Sequence, residues 1–184
     1  MNTVELKFFI EGYYNGNGQM KSVKNNQDGV SPTNEVETVT ATLWAGSNAV
    51  ETATTTLQTD GTAVFEFESA GDYHISVRGR NSIEVFTPVV LEVGTNPLSY
   101  DFTIGADQAH GSNQVEVETN VFALYSGDID ASGLIDSIDQ ALWEEKYLDF
   151  AFGEQSADLN GDGLVDFADF SIYEGNIGKT VSRP

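Results

Sequence analysis

The 184-residue sequence predicts a mixed fold, in which an all-β antiparallel sandwich is followed by a small α-helical domain. Two observations predict the sandwich: apolar and polar residues alternate in short runs, and Gly-, Asn- and Asp-rich turn signals separate those runs. A third observation predicts the second domain, because short acidic loops alternate with helical segments from Tyr125 onward. We therefore predict a β-sandwich module over residues 1–124 and a helical domain over residues 125–184.

Strands are expected throughout the first module. Residues 4–10 alternate in polarity with the period of two of a half-buried strand, and similar runs recur up to residue 124, which predicts seven or eight strands. The Thr-rich run ETATTTLQT is typical of an edge strand. The runs TDGTAVFEF and AGDYHISVRGRN are expected to pair as a hairpin, and their pattern resembles that of prealbumin-like (Ig-like) and collagen-adhesin B-type bacterial sandwiches.

Composition excludes several classes of function. With 29 Asp and Glu against 8 Lys and Arg, the formal net charge is −21, which disfavours partners rich in phosphate, namely nucleic acids and anionic membrane surfaces. Cysteine is absent, so disulfides, thiolate metal sites and cysteine nucleophiles are excluded. No apolar run approaches the roughly 20 residues of a membrane span. Because the start of the chain has no basic leader, we expect a mature piece of a longer polypeptide.

No catalytic constellation stands out, and we predict that the chain is not an enzyme. The two histidines, His74 and His110, are expected to be structural or solvent-facing, and no nucleophile elbow or nucleotide-binding glycine loop occurs. Tyr13, Tyr14 and Trp44 would suit a sugar-stacking platform, but packing within the sandwich is the favoured interpretation.

An acidic pattern with a central glycine occurs twice in the predicted helical domain. In each twelve-residue loop, oxygen donors at positions 1, 3, 5, 7, 9 and 12 surround Gly133 or Gly163 at position 6, as in the calcium-binding pattern D-x-[DN]-x-[DNS]-G. The predicted ligands are Asp128, Asp130, Ser132, Leu134, Asp136 and Asp139 in the first loop, and Asp158, Asn160, Asp162, Leu164, Asp166 and Asp169 in the second. The two leucines would contribute backbone carbonyl groups.

Coordination chemistry explains this spacing. Calcium takes about 6–8 hard oxygen ligands, and a tightly wound loop presents alternate side chains to one ion. Acidic turns without metal are the alternative. Two matches in register, thirty residues apart, disfavour it, as does the repulsion among four carboxylates in each loop. Two Ca²⁺ ions are therefore predicted, and the apolar residues at position 8, Ile135 and Val165, are expected to pair in a bridge joining the loops.

Helices are predicted after each loop, over SIDQALWEEKYL and FADFSIYEGNI. We expect their apolar faces to cover each other, with Leu142 against Phe170 or Ile172. A lone loop–helix unit would leave its apolar face uncovered, which explains why the pattern occurs twice.

Each unit departs from an ordinary EF-hand in two respects. The segment before Asp128 is predicted to be a strand and Gly153 breaks the segment before Asp158, so neither loop has an entering helix. Position 12 is also Asp where the common EF-hand has Glu. On these residues the segment Ser126–Ile177 resembles a type I dockerin domain of two calcium loop–helix units (F-hands). The preceding β region contains EGYYN, SVRGRNSIE and VFALYSGD. With these motifs it resembles the C-terminal regions that precede dockerin-like repeats in large secreted proteins of Bacteroidetes-type bacteria.

The resemblance implies a docking function outside the cell. In cellulosomal dockerins the partner is a cohesin, and loop positions 10 and 11 contact it; here these are Ser137 and Ile138, then Phe167 and Ala168. Because the repeats differ at these positions, symmetric two-way docking is not expected. The partner of the docking surface is expected to be either a cohesin-like protein or the chain's own β-module. We expect a secreted or cell-surface bacterial anchoring module at the C-terminal end of a larger protein.

Two other interpretations stay open. One is a structural subunit of an adhesin or extracellular filament, in which the sandwich self-assembles and calcium makes the joint rigid. The other is a carbohydrate-binding module of a polysaccharide-degrading enzyme.

Overall fold

The computed structural model describes all 184 residues and contains twelve strands and three α-helices. The strands are β1 (Asn2–Lys7), β2 (Tyr14–Gly16), β3 (Gln19–Met20), β4 (Glu35–Ala45), β5 (Asn48–Gln58), β6 (Thr62–Phe67), β7 (Gly71–Arg78), β8 (Val85–Phe86), β9 (Leu91–Val93), β10 (Leu98–Asp101), β11 (Val115–Glu118) and β12 (Val121–Ala123). The helices are α1 (Val23–Asp28), α2 (Ser137–Leu148) and α3 (Phe167–Asn176). None of them is long and apolar enough to cross a membrane.

Two main sheets make up the β-module, and the fold is mostly antiparallel β-sheet with few short helices, as predicted. A five-stranded sheet has the order β5-β4-β7-β8, with β9 also paired to β7, and a three-stranded sheet has the order β10-β1-β6. The Thr-rich strand β5 lies at the edge of its sheet, as expected. The pairs β2-β3 and β11-β12 form two further small sheets.

The predicted hairpin of TDGTAVFEF and AGDYHISVRGRN is wrong. β6 pairs with β1 whereas β7 pairs with β4, so the two consecutive strands lie in different sheets. Both strands bury apolar side chains in the same cluster, Phe65 and Phe67 from β6 and Ile75 and Val77 from β7. Covering that cluster from two sides stabilises the crossing, because it removes more apolar surface from water than a flat hairpin does.

Two further features of the β-module differ from the prediction. There are twelve strands in place of seven or eight, and β1 pairs in parallel with β10. Helix α1 lies in a region predicted to be all β; it buries only Val23 and ends at Gly29, whose φ is +71°. Six residues are too few to show a helical period, so this helix has no recognisable signal in the sequence.

The apolar core is divided into two clusters. The larger contains 24 buried residues of the β-module. The smaller joins Ile83, between β7 and β8, to residues of the C-terminal segment, which are Ile129, Ile135, Trp143, Ala157, Leu159, Val165 and Tyr173. Because Ile83 belongs to this second cluster, the β-module and the C-terminal segment share buried surface.

The two C-terminal helices meet through aromatic rings. Helix α2 coincides with its predicted segment, and α3 ends one residue before the predicted end. Trp143 contacts Phe170, with ring centroids 4.7 Å apart, while Leu142 and Ile172 lie partly buried against the same cluster. The indole of Trp143 is therefore the main contact between the helices in place of the smaller Leu142 side chain.

Candidate metal centre

Each acidic loop is joined to its helix by a pair of carboxylates. Asp136 is the N-cap of α2: its side chain accepts from Ile138 N at 2.7 Å, while Asp139 accepts from Asp136 N at 2.8 Å. Asp166 and Asp169 form the same capping box on α3. Such reciprocal bonds satisfy the free N–H groups of a helix start and fix the end of the loop. Neither loop is preceded by a helix.

The carboxylate at position 12 lies at the centre of each loop. Asp139 Oδ1 accepts from the backbone N–H groups of Ile129 and Asp130, at 2.7 and 3.2 Å, and Oδ2 accepts from Asp136. Asp169 makes the same three contacts in the second loop, and both side chains are fully buried. This shared frame holds the two ends of each loop together.

Three carboxylates of the first loop come together. Oxygen atoms of Asp128, Asp130 and Asp139 lie within 4.8 Å of one another. Asp128 is 2% exposed; its Oδ2 accepts from Gly133 N at 3.0 Å, whereas its Oδ1 is buried and has no partner. A buried carboxylate oxygen without a partner is costly, and a cation would compensate that cost. The donor set fits Ca²⁺, which prefers carboxylate oxygen.

The other predicted ligands of the first loop lie around this cluster. Ser132 Oγ donates to Leu134 O at 3.2 Å, so the oxygen atoms of positions 5 and 7 are neighbours at the exposed rim of the loop. Asp136, at position 9, is engaged as the cap of α2. Positions 1, 3 and 12 therefore form the centre, and positions 5, 7 and 9 form its border.

In the second loop the position 1 carboxylate has partners on both oxygens. Asp158 Oδ1 accepts from the N–H groups of Gly161 and Asp162, at 2.8 and 3.2 Å. Its Oδ2 accepts from Gly163 N at 3.0 Å and from the side-chain amide of Gln27 at 2.8 Å. N–H groups of the loop therefore bond to both oxygens of Asp158, whereas Asp128, its counterpart in the first loop, has one oxygen without a partner.

The remaining second-loop ligands bond to each other. Asn160 Nδ2 donates to Asp162 Oδ2 at 3.0 Å, and Asp162 Oδ1 accepts from Leu164 N at 2.9 Å. Asp166 caps α3. Since Asn160 stands where the first loop has Asp130, the second loop lacks the carboxylate that completes the cluster of the first.

The expected bridge between Ile135 and Val165 is wrong. Ile135 N donates to Lys179 O at 2.9 Å, and Val165 N donates to Ala151 O at 3.2 Å. Each position 8 therefore pairs with a segment that flanks its own half of the domain. The side chains of both residues are buried in the smaller apolar cluster, while their backbone N–H groups donate to the flanking segments.

Burial changes the acidity of the central carboxyl groups. It raises the pKa of Asp128 to about 6 and that of Asp169 to about 7, against backbone hydrogen bonds that lower both values. The pKa values of Asp139 and Asp158 are raised as well, with burial again the main cause. Ionised carboxylates are disfavoured in these positions unless positive charge accompanies them.

The histidines and the candidate sugar-stacking aromatics have structural roles. His74 and His110 bond through Nδ1 to Thr87 O and Ser182 Oγ, at 2.9 and 3.2 Å. Tyr13 is fully buried, and the guanidinium of Arg183 lies over the ring of Trp44 at 5.0 Å. Tyr14 donates to Glu118 at 2.6 Å. The candidate sugar platform is therefore divided among separate packing contacts.

Comparisons with known proteins add information on the fold. No protein-family model and no curated protein matches the chain. Two crystal structures of interface mutants of a type II Cohesin-X-Dockerin complex from Acetivibrio cellulolyticus each contain a chain that matches. The C-terminal interface mutant gives a TM-score of 0.51 at 16% identity, and the N-terminal interface mutant gives 0.53 at 15%. Each match covers 98% of this chain and 97% of the other.

The fold is similar to that of a chain from a cohesin–dockerin complex. Because 98% of the chain is covered, the likeness includes both the β-module and the C-terminal loop–helix segment. At such low identity the likeness concerns the fold alone.

The residues expected to dock a partner lie at the starts of the two helices. Ile138 is 56% exposed and Phe167 is 61% exposed, and their neighbours Ser137 and Ala168 are exposed as well. Around Phe167 the chain exposes Phe150, Phe152 and Leu164, whereas near Ile138 the exposed apolar side chain is Leu134, the counterpart of Leu164. We define the apolar patch as Phe150, Phe152, Leu164 and Phe167.

The apolar patch adjoins the second loop. Phe152 and Leu164 face each other in a β-bridge, and the ring of Phe167 lies 5.1 Å from that of Tyr147. Phe150 and Phe152 are 86% and 77% exposed. Large exposed apolar side chains grouped in this way are typical of protein interaction surfaces.

The residue that sequence reasoning missed is Gln27. It lies on α1, 131 residues before Asp158, to which it donates a hydrogen bond. No motif marks it in the sequence, since a polar side chain on a short polar helix is typical of any solvent-facing turn.

Proposed function

We propose that the chain is a non-enzymatic, calcium-ordered docking module carried by a larger secreted bacterial protein. The observation that carries the proposal is the first-loop cluster, in which the buried Oδ1 of Asp128 lacks a partner beside Asp130 and Asp139. The likeness in fold to a chain of a docking complex supports the docking part.

Calcium would supply the positive charge that these buried carboxylates lack. Asp128, Asp130 and Asp139 would hold one ion with the oxygen atoms at the loop border. In the second loop Asp158, Asp162 and Asp169 would hold a second ion, with the amide oxygen of Asn160 in place of the position 3 carboxylate. We favour Ca²⁺ over Mg²⁺ because each loop offers a nearly all-protein set of oxygen donors, whereas Mg²⁺ keeps several of its waters.

The docking surface would be the apolar patch next to the second loop. Acidic side chains border it: Asp149, Glu154 and Asp162 are exposed in the same stretch of chain. With a net charge of −21, a second copy of this chain would be repelled, whereas a cohesin-like protein with an apolar face and a Lys- or Arg-rich border would be attracted. Docking of this kind would allow a secreted bacterial protein that carries this module to be anchored to its partner outside the cell.

Thermal unfolding with calcium, and then with excess EGTA, tests the proposal. We expect calcium to raise the melting temperature, with about 2.7 kcal/mol of stabilisation per site when the free ion is 100-fold above its Kd. Magnesium at the same concentration should give a much smaller shift.

Two variants make this experiment specific. Asp128→Asn should reduce the calcium-dependent shift, whereas Asp72→Asn, which removes one exposed charge on β7, should keep it. Identical melts in calcium and EGTA, with no calcium found by elemental analysis, would refute the calcium part. Growth of particle size in calcium without any partner would favour the filament interpretation instead.

A further inference from the structure

The β-module closes over the second loop with polar side chains. Four donors of the module bond to loop atoms that lie at or next to predicted calcium ligands. These bonds are Lys21 Nζ to Asn160 O (2.8 Å), Asn26 Nδ2 to Gly161 O (2.9 Å), Gln27 Nε2 to Asp158 Oδ2 (2.8 Å) and Asn81 Nδ2 to Asp158 O (3.2 Å).

The backbones of the two parts approach closely at this contact. A Cβ atom on Gly163 would lie 2.7 Å from the carbonyl oxygen of Asn26, and a Cβ atom on Gly12 would lie 1.9 Å from that of Leu159. Only glycine fits at these distances, so the module is seated directly on the loop backbone.

The first loop has a different relation to the module. Every hydrogen bond to its ligand side chains Asp128, Asp130 and Asp139 comes from within the loop. The module reaches it through backbone bonds from Gly127 and Asp128 to Asn81 O. Among the predicted ligand side chains, that of Asp158 is therefore the one that accepts a hydrogen bond from the β-module.

Gln27 bonds to the Asp158 oxygen that corresponds to the glycine-bonded Oδ2 of Asp128, and not to the counterpart of the unpaired Oδ1. In both loops Oδ2 of position 1 accepts from the position 6 glycine, and Oδ1 is the atom that lacks a partner on Asp128. Gln27 bonds to Oδ2 of Asp158, whereas Oδ1 accepts only from N–H groups of its own loop. Arg80 Nη1 donates to Gln27 Oε1 at 3.5 Å, which favours the amide orientation in which Nε2 donates to Asp158.

We propose that Gln27 is a positioning residue of the second calcium site, and that seating of the β-module and cation binding at the second loop form one linked equilibrium. This inference rests on the proposed calcium-binding function. If contact with the β-module raises the cation affinity of the second loop by some factor, a bound cation raises the equilibrium constant for that contact by the same factor. The first loop lies outside this linkage.

Calcium titration of variants of the 184-residue chain tests the proposal. The chain with Asp128→Asn retains the second site, and the chain with Asp158→Asn retains the first. Hydrogen-bond partners that orient a metal ligand typically contribute 10- to 100-fold in affinity. We therefore expect Gln27→Ala to weaken calcium binding about 10-fold in the Asp128→Asn background and to leave it unchanged in the Asp158→Asn background. Gln19→Ala, an exposed glutamine of the same module, is the matched control.

Hydrogen exchange provides a second readout. Calcium added to the Asp128→Asn chain should slow exchange of the α1 amides, and Gln27→Ala should abolish that slowing. Equal affinities with and without Gln27→Ala, in a chain that melts as the parent does, would overturn the inference while the calcium proposal stands. An equal loss at both sites would also overturn it, since that reports general unfolding. Absence of calcium binding by the unmutated chain would overturn both proposals.

Discussion

The two acidic loops share a twelve-residue pattern, a capping box and a central carboxylate, but their position 1 residues have different surroundings. Asp128 keeps a buried oxygen without a partner, whereas Asp158 is bonded on both oxygens by its own loop and by Gln27. The difference at Oδ1 arises within the loops, because the N–H groups of Gly161 and Asp162 reach Asp158 Oδ1. Gln27 adds a tertiary bond to Oδ2 that Asp128 does not have. We infer that the first loop depends on the ion and that the second is held in part by protein.

The loops differ at two of their ligand positions. Position 3 is Asp130 in the first and Asn160 in the second, and position 5 is Ser132 and then Asp162. The amide of Asn160 both donates to and accepts from Asp162, which a carboxylate at that position would not do. Asn160 at position 3 thus forms hydrogen bonds with Asp162 at position 5, whereas the first loop has Ser132 at position 5 and therefore no carboxylate pair between these positions.

The largest effect is expected where the two loops are the same. Asp139→Ala and Asp169→Ala each remove the acceptor of three backbone N–H groups, and a buried donor without a partner costs about 1–3 kcal/mol. We expect each variant to lose roughly 3–5 kcal/mol in the free energy of unfolding, measured by urea titration in EGTA. The Asn variants, which keep one acceptor oxygen, should lose less. A loss below about 1 kcal/mol in either Ala variant would contradict the shared frame.

A smaller loss of stability is expected from alanine at the position 6 glycine, and its size should differ between the two loops. Gly133 and Gly163 both have φ of +87°, so alanine costs about 1–2 kcal/mol at either position. At Gly163 the new Cβ atom would also meet the backbone oxygen of Asn26 at 2.7 Å, whereas at Gly133 it would meet a methyl group of Val181 at 3.0 Å. We expect Gly163→Ala to lose at least about 1 kcal/mol more in thermal or urea unfolding, because backbone moves less readily than a side chain. Equal losses would mean that the module is not seated rigidly on the second loop.

The smallest effect is expected from pH. Burial raises the pKa of Asp169 to about 7 and that of Asp128 to about 6, so the folded calcium-free chain binds protons that the unfolded chain releases. Each group contributes stability that is present below its unfolded pKa of about 4 and is lost as pH rises through its folded pKa. The melting temperature in EGTA should fall by about 2–4 °C per pH unit on rising from pH 5 to pH 7, and the gain from calcium should grow correspondingly. Asp169→Asn should flatten this slope, and a melting temperature that rises with pH in EGTA would contradict it.

The sequence predicted those parts of the molecule that depend on neighbours in the chain. The segment of α2 followed from helical periodicity, and the loop glycines followed from their spacing. Strand pairing depends on residues far apart, so the hairpin of β6 and β7 was predicted wrongly. The contact between Gln27 and Asp158 spans 131 residues and has no local signal at either end.

The position of β1 within its sheet has a mechanical consequence. This first strand is central, paired with β10 in parallel over four positions and with β6 in antiparallel over six. Its hydrogen bonds lie across the strand direction, so a pull along the chain at residue 2 loads both rows in shear at once. An anchored module under tension would resist until many bonds yield together, whereas a strand at a sheet edge would be peeled away bond by bond.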